Sequence, residues 1–254
     1  MTIVIPMAGH GQRFIDAGYQ LPKYLLEAGG KSLLEWSVDS LPLDLASRTV
    51  FVALRGHEAQ FQISERIRRL YGHRTEIHCV FLDQVTRGQS ETVLSARQLI
   101  PETDPLIIFN IDTMFRSPSL RVNLGRDDVD GVLGCFPSHE PRFSFATTDA
   151  NGRITRVTEK EPISSNALTG LYHYRRAGDF INAASKALRD NQLTKGEFYV
   201  APLYNVMIAR GANLILDHSS VHCILGTPQE YEAFRDFGVK QFLTSNISSP
   251  VNRL

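Results

Sequence analysis

Cysteine is scarce in this sequence, and neither sign of charge is in excess. The 254 residues include three cysteines, Cys79, Cys135 and Cys223, which lie far apart in apolar, strand-like runs. This spacing excludes a disulfide framework and a cysteine zinc site, and it predicts buried thiols in a reducing cytoplasm. The 27 basic residues are balanced by 27 acidic residues, which argues against a nucleic-acid backbone or an anionic membrane as the main partner.

Long apolar runs are also missing. No run approaches the length that spans a membrane, and the chain enters an apolar strand at Ile3 without the basic segment of a signal peptide. These absences predict a cytoplasmic protein that binds no membrane. A chain of 254 residues can bury a large core without disulfide bonds.

Short apolar runs alternate with helical patterns along the chain. In the first half, strands are predicted at residues 3–6, 49–54, 77–82 and 106–111, and helices at 32–40, 58–71 and 89–99. This alternation is typical of a parallel sheet with helices on both faces. In the second half, strands are predicted at residues 131–136, 144–148, 154–158, 168–174 and 214–216, and helices at 177–189, 198–210 and 228–237.

The greater number of strands in the second half indicates a mixed sheet. The predicted fold class is therefore α/β, with a mixed, mostly parallel central sheet. No linker rich in proline, glycine or serine separates two domains, so residues 1–254 are predicted to form a single domain. Its two lobes, residues 1–114 and 115–254, are expected to meet near Asp112.

The first loop has the composition of a phosphate site. After the first strand come Gly9 and Gly11, whose backbone freedom lets successive N–H groups surround an anion. Arg13 and Lys23 would add full positive charges. Phe14 stands where a dinucleotide fingerprint needs its third glycine, and the Gly-Lys-Ser/Thr of a P-loop is missing. An ordinary tight turn between strand and helix is the alternative interpretation of this loop.

Asp112 follows the apolar run 106–111, at the end of a central strand where ligands of parallel sheets bind. A carboxylate buried there needs a positive partner, and Mg²⁺ bound to nucleotide phosphates is a suitable one. A helix cap or a solvated turn would also explain an aspartate at this position.

Further polar residues follow other strands. Gln84 has the donor and acceptor needed to contact a base edge, and Gly88 would allow a flat ring to approach the backbone. Capping of the next helix is the alternative explanation for this segment. Glu159 and Lys160 could hold the hydroxyls and phosphate of a second ligand, although charges before a proline are often a solvated turn. Glu197 lies at a predicted helix start, where an acid is stabilising without any function.

In this order, the segments resemble the nucleotide-diphospho-sugar pyrophosphorylases, a family of sugar-phosphate nucleotidyltransferases. The matching positions are residues 8–13, Lys23, Gln84, Gly88, Asp112, Glu159, Lys160, residues 167–172, Gly196, Glu197 and residues 226–228. The first loop is most similar to bacterial surface-polysaccharide members, some of them cytidylyltransferases. The resemblance implies a three-layer α/β/α sandwich of the GT-A-like type.

The resemblance also implies the roles of individual residues. Arg13, Lys23 and Asp112 would be catalytic, with Asp112 binding Mg²⁺, which Mn²⁺ could replace. Ala8, Gly9, Gly11, Gln84 and Gly88 would bind the nucleotide. The residues implied to bind the acceptor are Ser144, Glu159, Lys160, Thr169, Gly170 and Glu197.

Two positions depart from the family pattern. Ile224 stands where many members have an aspartate that serves as a second metal ligand, so either Asp112 suffices or another acid such as Asp217 serves. Ser144 replaces a glycine that many members place next to the sugar. The larger side chain puts a hexose 1-phosphate in doubt as the acceptor.

The activity implied is transfer of a nucleoside monophosphate from CTP, UTP or dTTP to a sugar phosphate or another small phosphorylated metabolite, with release of pyrophosphate. The product would serve the synthesis of a capsule or another surface polysaccharide. A glycosyltransferase that uses a nucleotide-sugar and a catalytically silent nucleotide-binding subunit are the competing hypotheses. A homo-oligomer is compatible with the sequence.

Overall fold

The computed structural model describes residues 1–244 of the chain. Thirteen strands are found in this part: β1 (Thr2–Pro6), β2 (Glu27–Ala28), β3 (Lys31–Ser32), β4 (Arg48–Leu54), β5 (Glu76–Leu82), β6 (Leu106–Phe109), β7 (Thr113–Arg116), β8 (Gly131–Pro137), β9 (Ser144–Thr148), β10 (Ile154–Glu159), β11 (Asn166–Tyr174), β12 (Leu214–His218) and β13 (Val221–Ile224).

The same part of the chain contains ten α-helices: α1 (Gln12–Asp16), α2 (Leu33–Val38), α3 (Arg55–Phe61), α4 (Ile63–Tyr71), α5 (Gln89–Leu94), α6 (Leu120–Leu124), α7 (Ala177–Arg189), α8 (Tyr204–Ile208), α9 (Pro228–Ala233) and α10 (Val239–Thr244). Short 3₁₀ turns lie at Lys23–Leu25, Leu43–Leu45, Arg97–Leu99 and Ala201–Leu203, and a π-helical turn at Phe234–Gly238 joins α9 to α10.

The central sheet has the strand order β12-β8-β11-β6-β1-β4-β5. Six of these strands run in one direction, and β11 is antiparallel to both of its neighbours. A hairpin of β9 and β10 attaches to the start of β11. The predicted mixed, mostly parallel sheet is therefore confirmed.

Both faces of this sheet are buried. Ile3 and Ile5 of β1 pack in one apolar cluster with helix residues such as Ile67 of α4. Val4, which lies between them, packs in a second cluster with Phe180 of α7. Neighbouring side chains of a strand point to opposite faces, so helices cover the sheet on both sides. This confirms the three-layer arrangement.

Most predicted elements are present, but several predicted helices are shorter than expected or divided. The helix predicted at 58–71 is divided into α3 and α4 at Gln62, whose φ of 51° is left-handed. Glu58 accepts hydrogen bonds from the Ser64 amide and hydroxyl, which caps the start of α4. The helix predicted at 198–210 begins as a 3₁₀ turn containing Pro202, and only α8 is regular.

A second small sheet was not predicted. The strand predicted at 106–111 ends at Phe109, and the chain continues into β7, which pairs with β13. In this pair Ile224 lies opposite Thr113, immediately after Asp112. The small sheet therefore brings the C-terminal turn at 224–226 next to the end of the central strand.

Candidate active site

A cleft of about 470 Å³ opens beyond the carboxyl ends of β1 and β6. Its wall includes residues from the first loop, from the segment after β6 and from the β9–β10 hairpin. Parallel strands end together at this edge, which is why ligands of such sheets bind here. The first loop forms one end of the cleft, which is called the nucleotide end because the resemblance predicts the nucleotide there. The other end, where it predicts the acceptor, is called the acceptor end and is formed by Arg142, Phe143, Ser144, Glu159, Lys160 and Glu197.

The first loop lines the nucleotide end as predicted. Ala8, Gly9 and Gly11 all contribute to the wall, and Gly11 has a left-handed φ of 65°. The backbone of Gly9 has no left-handed conformation, so only Gly11 needs to be glycine on that ground. Arg13 follows in α1 and is exposed outside the lining, although its charge contributes to lowering the pKa of Asp112.

Lys23 and Asp112 form an ion pair in the middle of the cleft. Lys23 Nζ donates to Asp112 Oδ2 at 2.7 Å, and the two side chains are 21% and 26% exposed. Burial on its own raises the pKa of Asp112, but the charge and hydrogen bond of Lys23 outweigh burial, so that this pKa is lowered. Asp112 is therefore an anion held by a cation, at the point where the two ends of the cleft meet.

The C-terminal turn packs directly on Asp112. Leu225 donates its amide hydrogen to the Asp112 carbonyl at 2.7 Å, and a Cβ on Gly226 would lie 3.8 Å from Asp112 Oδ2. Ile224 points instead into an apolar cluster with Phe136 and Phe143. The position expected to hold a second metal-binding acid is thus part of an apolar wall.

The alternative second ligand, Asp217, is not supported by the structure. Its side chain accepts hydrogen bonds from Ser119 Oγ and Asn123 Nδ2. Asp217 is buried in β12 and does not line the cleft that contains Asp112. Both hydrogen bonds hold Asp217 Oδ1 at an edge strand outside the cleft, which gives this buried carboxylate a structural explanation.

Asp112 is the acid that lines the cleft beside Lys23, where a metal bound together with a nucleotide would need a carboxylate. Within residues 1–244, no group of three or more His, Cys, Asp or Glu side chains could hold a metal ion. Mg²⁺ commonly uses one or two carboxylates and completes its coordination with phosphate oxygens and water. The donor set therefore fits a metal that is bound together with a nucleotide.

Of the two residues predicted in the segment after β5, Gly88 lines the cleft and Gln84 does not. Gln84 is exposed and lies outside the lining, whereas Val85, Thr86, Gly88 and Gln89 line it. At Gly88 a Cβ would lie 2.4 Å from the backbone nitrogen of Phe198. A close contact between two backbone segments therefore requires glycine at this position.

The start of α5 is anchored by hydroxyls that donate to carbonyls, and no side chain caps this helix at its N-cap residue, Gly88. Ser90 donates its hydroxyl hydrogen to the Phe198 carbonyl, and Thr92 donates to the Gly88 carbonyl. Gln89 Nε2 also donates to Asn110 Oδ1 at 2.5 Å. This contact connects the segment to the chain just before Asp112.

The acceptor end brings together four of the six predicted acceptor-binding residues. Ser144, Glu159, Lys160 and Glu197 all line the cleft. The Ser144 hydroxyl donates to Glu159 Oε2, and the Lys160 ammonium donates to the Tyr199 hydroxyl. Tyr199 in turn donates to Glu197 Oε1 at 2.7 Å.

Thr169 and Gly170 are not part of the cleft wall, contrary to the prediction. Thr169 is buried, and its hydroxyl accepts the Leu171 amide hydrogen. Gly170 has a φ of 87°, and a Cβ there would lie 2.4 Å from Asn110 Cγ. From the same strand, Leu168 and Tyr172 line the cleft instead. Gly170 acts from behind the wall, because the missing Cβ lets β11 approach Asn110.

Several lining residues were not found from the sequence. Arg142 lies over the Phe143 ring, with its Cζ 4.6 Å from the ring centroid. Its Nη1 pairs with Glu230 Oε1 at 2.5 Å, and its Nε donates to Glu140 Oε2 at 2.8 Å. Arg142 sits in a polar loop with no motif of its own, so only the position next to Ser144 could have suggested it.

Solved structures with the same fold include several nucleotide-handling enzymes. The nucleoside-diphosphate-sugar pyrophosphorylase from Vibrio cholerae RC9 is 32% identical over 92% of this chain and 99% of that chain, with a TM-score of 0.80. UDP-glucose pyrophosphorylase complexed with UDP-glucose is 16% identical over 94% of this chain and 98% of that chain, with a TM-score of 0.76. The inositol-1-phosphate CTP transferase from T. maritima is 16% identical over 90% of each chain, with a TM-score of 0.71.

The fold and its cleft define a protein of the nucleotidyltransferase, GT-A-like class. On the identity and coverage shared with the Vibrio cholerae protein, the chain belongs to the nucleoside-diphosphate-sugar pyrophosphorylase family. No protein-family model and no curated protein matches this sequence. Through residue 244, no helix combines the length and apolarity needed to cross a membrane.

Proposed function

We propose that this protein transfers a nucleoside monophosphate from CTP, UTP or dTTP to a sugar phosphate or another small phosphorylated metabolite and releases pyrophosphate. The observation that carries the proposal is the Lys23–Asp112 pair, at 2.7 Å, between the nucleotide end and the acceptor end of one cleft. Family membership supports the reaction class. The CTP transferase of similar fold makes CTP one of the nucleotides to test.

The proposed reaction is a single in-line displacement. An oxygen of the acceptor phosphate forms a bond to the α-phosphorus, the bond from this phosphorus to the α–β bridging oxygen breaks, and pyrophosphate leaves with the electron pair. A phosphate monoester has a second pKa of about 6, so the nucleophile is already ionised at neutral pH. The protein therefore needs to align the two ligands and stabilise charge, with no general base.

The residues divide between these tasks. Arg13 and the amides of the loop at Gly9 and Gly11 would hold the β- and γ-phosphates and the charge that develops on pyrophosphate. Lys23 would move away from Asp112 and stabilise the α-phosphate. Lys160 would hold the acceptor phosphate. We propose that residues 1–114 provide the nucleotide lobe and residues 115–254 the acceptor lobe.

Asp112 would hold Mg²⁺, or Mn²⁺ in its place, together with phosphate oxygens of the nucleotide. When bound, the metal would neutralise part of the phosphate charge. Because Asp112 is already paired with Lys23, metal binding at this carboxylate is expected to accompany the nucleotide. A capsule or surface-polysaccharide role and a cytoplasmic location are proposed on the sequence resemblance alone.

A substrate matrix tests this function. Purified protein with Mg²⁺ is incubated with each common nucleoside triphosphate and with a panel of sugar phosphates, amino-sugar phosphates, aminoalkyl phosphates and polyol phosphates, and pyrophosphate is measured. Pyrophosphate is expected only when a triphosphate and a phosphorylated acceptor are both present. A matrix without pyrophosphate release would overturn the proposal. Consumption of a nucleotide-sugar in a parallel arm would instead favour a glycosyltransferase.

A further inference from the structure

Glu159 places a deeply buried carboxylate in the acceptor end of the cleft. The residue is 7% exposed and ends β10, opposite Ser144 of β9 in the strand register. Ser144 is 8% exposed, and its hydroxyl donates to Glu159 Oε2. Both residues line the cleft, so the strand pairing fixes this carboxylate against a wall that a ligand would contact.

The second carboxylate oxygen of Glu159 is open to a ligand. Among residues 1–244, the structure shows no hydrogen bond to Oε1 and no ion pair to this carboxylate. Burial raises the pKa of Glu159, and the Ser144 hydrogen bond and the Lys160 charge only partly oppose it. A buried carboxylate without a cation at bonding distance is costly to ionise.

Lys160 is adjacent in sequence but does not supply that cation. Its φ of 55° is left-handed, which turns the chain so that two consecutive side chains both line the cleft. The Lys160 ammonium lies 4.8 Å from the centroid of the Tyr199 ring, donates to the Tyr199 hydroxyl and is 4.0 Å from Glu197 Oε1. Lys160 is thus directed towards Glu197, which leaves Glu159 to another partner.

The other cation of the acceptor end is also engaged. Arg142 pairs with Glu230 and with Glu140, as described above. Glu230 is itself held in place, because its Oε2 accepts the amide hydrogens of Gly226 and Thr227 at 2.9 Å. Both cations therefore face acids other than Glu159, and in this part of the cleft the charge that lacks a counter-charge is the Glu159 carboxylate.

We propose that the acceptor is a phosphorylated amine whose protonated nitrogen binds the Glu159 carboxylate, and that Ser144 positions this carboxylate for it. The inference rests on the proposed function and names the acceptor class for the same site. A charged donor matches a buried carboxylate better than a hydroxyl does, because the ionised pair forms the stronger hydrogen bond. Lys160, which would hold the phosphate, is the next residue and lines the same cleft, so a single acceptor carrying both groups would contact both side chains.

Matched acceptor pairs test the inference. Each pair differs only by an amine or a hydroxyl: 2-aminoethyl phosphate with 2-hydroxyethyl phosphate, and glucosamine 1-phosphate with glucose 1-phosphate. With the nucleotide that the matrix identifies, the wild-type protein is expected to favour the amine in at least one pair, in kcat/KM, by about tenfold or more. Glu159→Gln is expected to bring that ratio close to one, through a higher KM for the amine and an unchanged KM for the nucleotide.

Two further variants distinguish the positioning of the Glu159 carboxylate by Ser144 from a general effect on folding. Ser144→Ala is expected to raise the KM for the amine several-fold without changing the KM for the nucleotide. Glu161→Gln is the matched control, because Glu161 is an exposed acid in the same segment that pairs with Arg156 at 3.5 Å. The control is expected to retain the wild-type ratio of kcat/KM for the amine to kcat/KM for the hydroxyl compound. Circular dichroism checks that all variants fold.

Every result of these measurements either supports or overturns the proposed acceptor class. Equal use of amine and hydroxyl, a hydroxyl preference, or an unchanged ratio in Glu159→Gln would overturn the acceptor class while nucleotidyl transfer stands. Pyrophosphate release with other acceptors but with no phosphorylated amine would also overturn the acceptor class and leave nucleotidyl transfer standing. Absence of release with every triphosphate and acceptor would overturn the proposed function, and the acceptor class with it.

Discussion

Lys23 donates a hydrogen bond of 2.7 Å to Asp112, although the two residues are 89 positions apart in the chain. Lys23 begins the 3₁₀ turn Lys23–Leu25 after the first loop, and Asp112 follows β6. The parallel pairing of β1 and β6 brings both segments to one edge of the sheet. The pair therefore keeps a cation and an anion together at the centre of the cleft before any ligand binds.

Removing either member of this pair is expected to abolish most activity. Lys23→Ala and Asp112→Asn should each lower kcat/KM by about 10²–10³, because each deletes one charge at the reacting phosphates. Pyrophosphate release measures the loss, and circular dichroism checks the fold. Lys31→Ala is the control, since Lys31 forms a more exposed pair with Asp39. Near-normal turnover in either site variant would contradict the assigned roles.

Lys23 is also expected to compete with a metal ion for Asp112. In Lys23→Gln the carboxylate loses its cationic partner, so Mn²⁺ should bind the nucleotide-free protein about tenfold more tightly than it binds wild type. Electron paramagnetic resonance of free Mn²⁺ measures this affinity without any turnover. The double variant Lys23→Gln with Asp112→Asn should lose the tighter Mn²⁺ binding of Lys23→Gln. Equal Mn²⁺ affinity in wild type and Lys23→Gln would show that Asp112 is not the site of competition.

Glu159 is expected to make the stability of the protein depend on pH. Since its pKa is raised in the folded state, the folded protein binds this proton more tightly than the unfolded chain does. This contribution to the free energy of unfolding is complete below the ordinary value of 4.5 and is lost as the pH rises through the raised pKa. Glu159→Gln has no such proton to lose.

The stability of Glu159→Gln relative to wild type should therefore increase as the pH rises above 4.5 and then become constant. Urea unfolding of both proteins across a series of pH values gives the difference between their free energies of unfolding. The titration of other groups is common to both proteins and cancels in this difference. Glu161→Gln should follow the wild-type curve. Parallel curves for wild type and Glu159→Gln would contradict the burial of an ionisable carboxyl at this position.

Two glycines with similar backbone angles should respond differently to alanine. Gly152 has a φ of 81° and open space around its Cα, so Gly152→Ala should cost only the left-handed strain of about 1–2 kcal/mol. Gly170 has a φ of 87°, and its new Cβ would also meet Asn110 at 2.4 Å. Overpacking adds about 1–3 kcal/mol, so Gly170→Ala should cost about 2–5 kcal/mol. Denaturant unfolding compares the two, and equal losses would contradict the close contact with Asn110.

Local patterns were sufficient for most of the sheet. The runs that became β1, β4, β5 and β8 are apolar and β-branched over several residues, and they matched the structure to within two residues at each end. The helix predicted at 177–189 coincides with α7. The division at Gln62 was missed because it depends on the capping of α4 by Glu58, which helical periodicity does not record.

The candidate site was predicted in part. The first loop, Lys23 and Asp112 were found because each lies at the end of an apolar strand or in a recognisable motif. Five other residues were also expected in the site, but none of them lines the cleft: Arg13, Gln84, Thr169, Gly170 and Asp217. Arg142 was missed, because its role depends on Glu230, which is distant in the chain.

The sequence by itself determined the fold class and the family, since these depend on hydrophobic periodicity and on motifs in a fixed order along the chain. Only the tertiary structure decided which side chains share the acceptor end. There, strand register pairs Ser144 with Glu159, and the left-handed backbone of Lys160 redirects its ammonium. Ile224 packs into an apolar cluster next to this end and does not line the cleft. These arrangements depend on register and packing between distant segments, which a one-dimensional pattern does not specify.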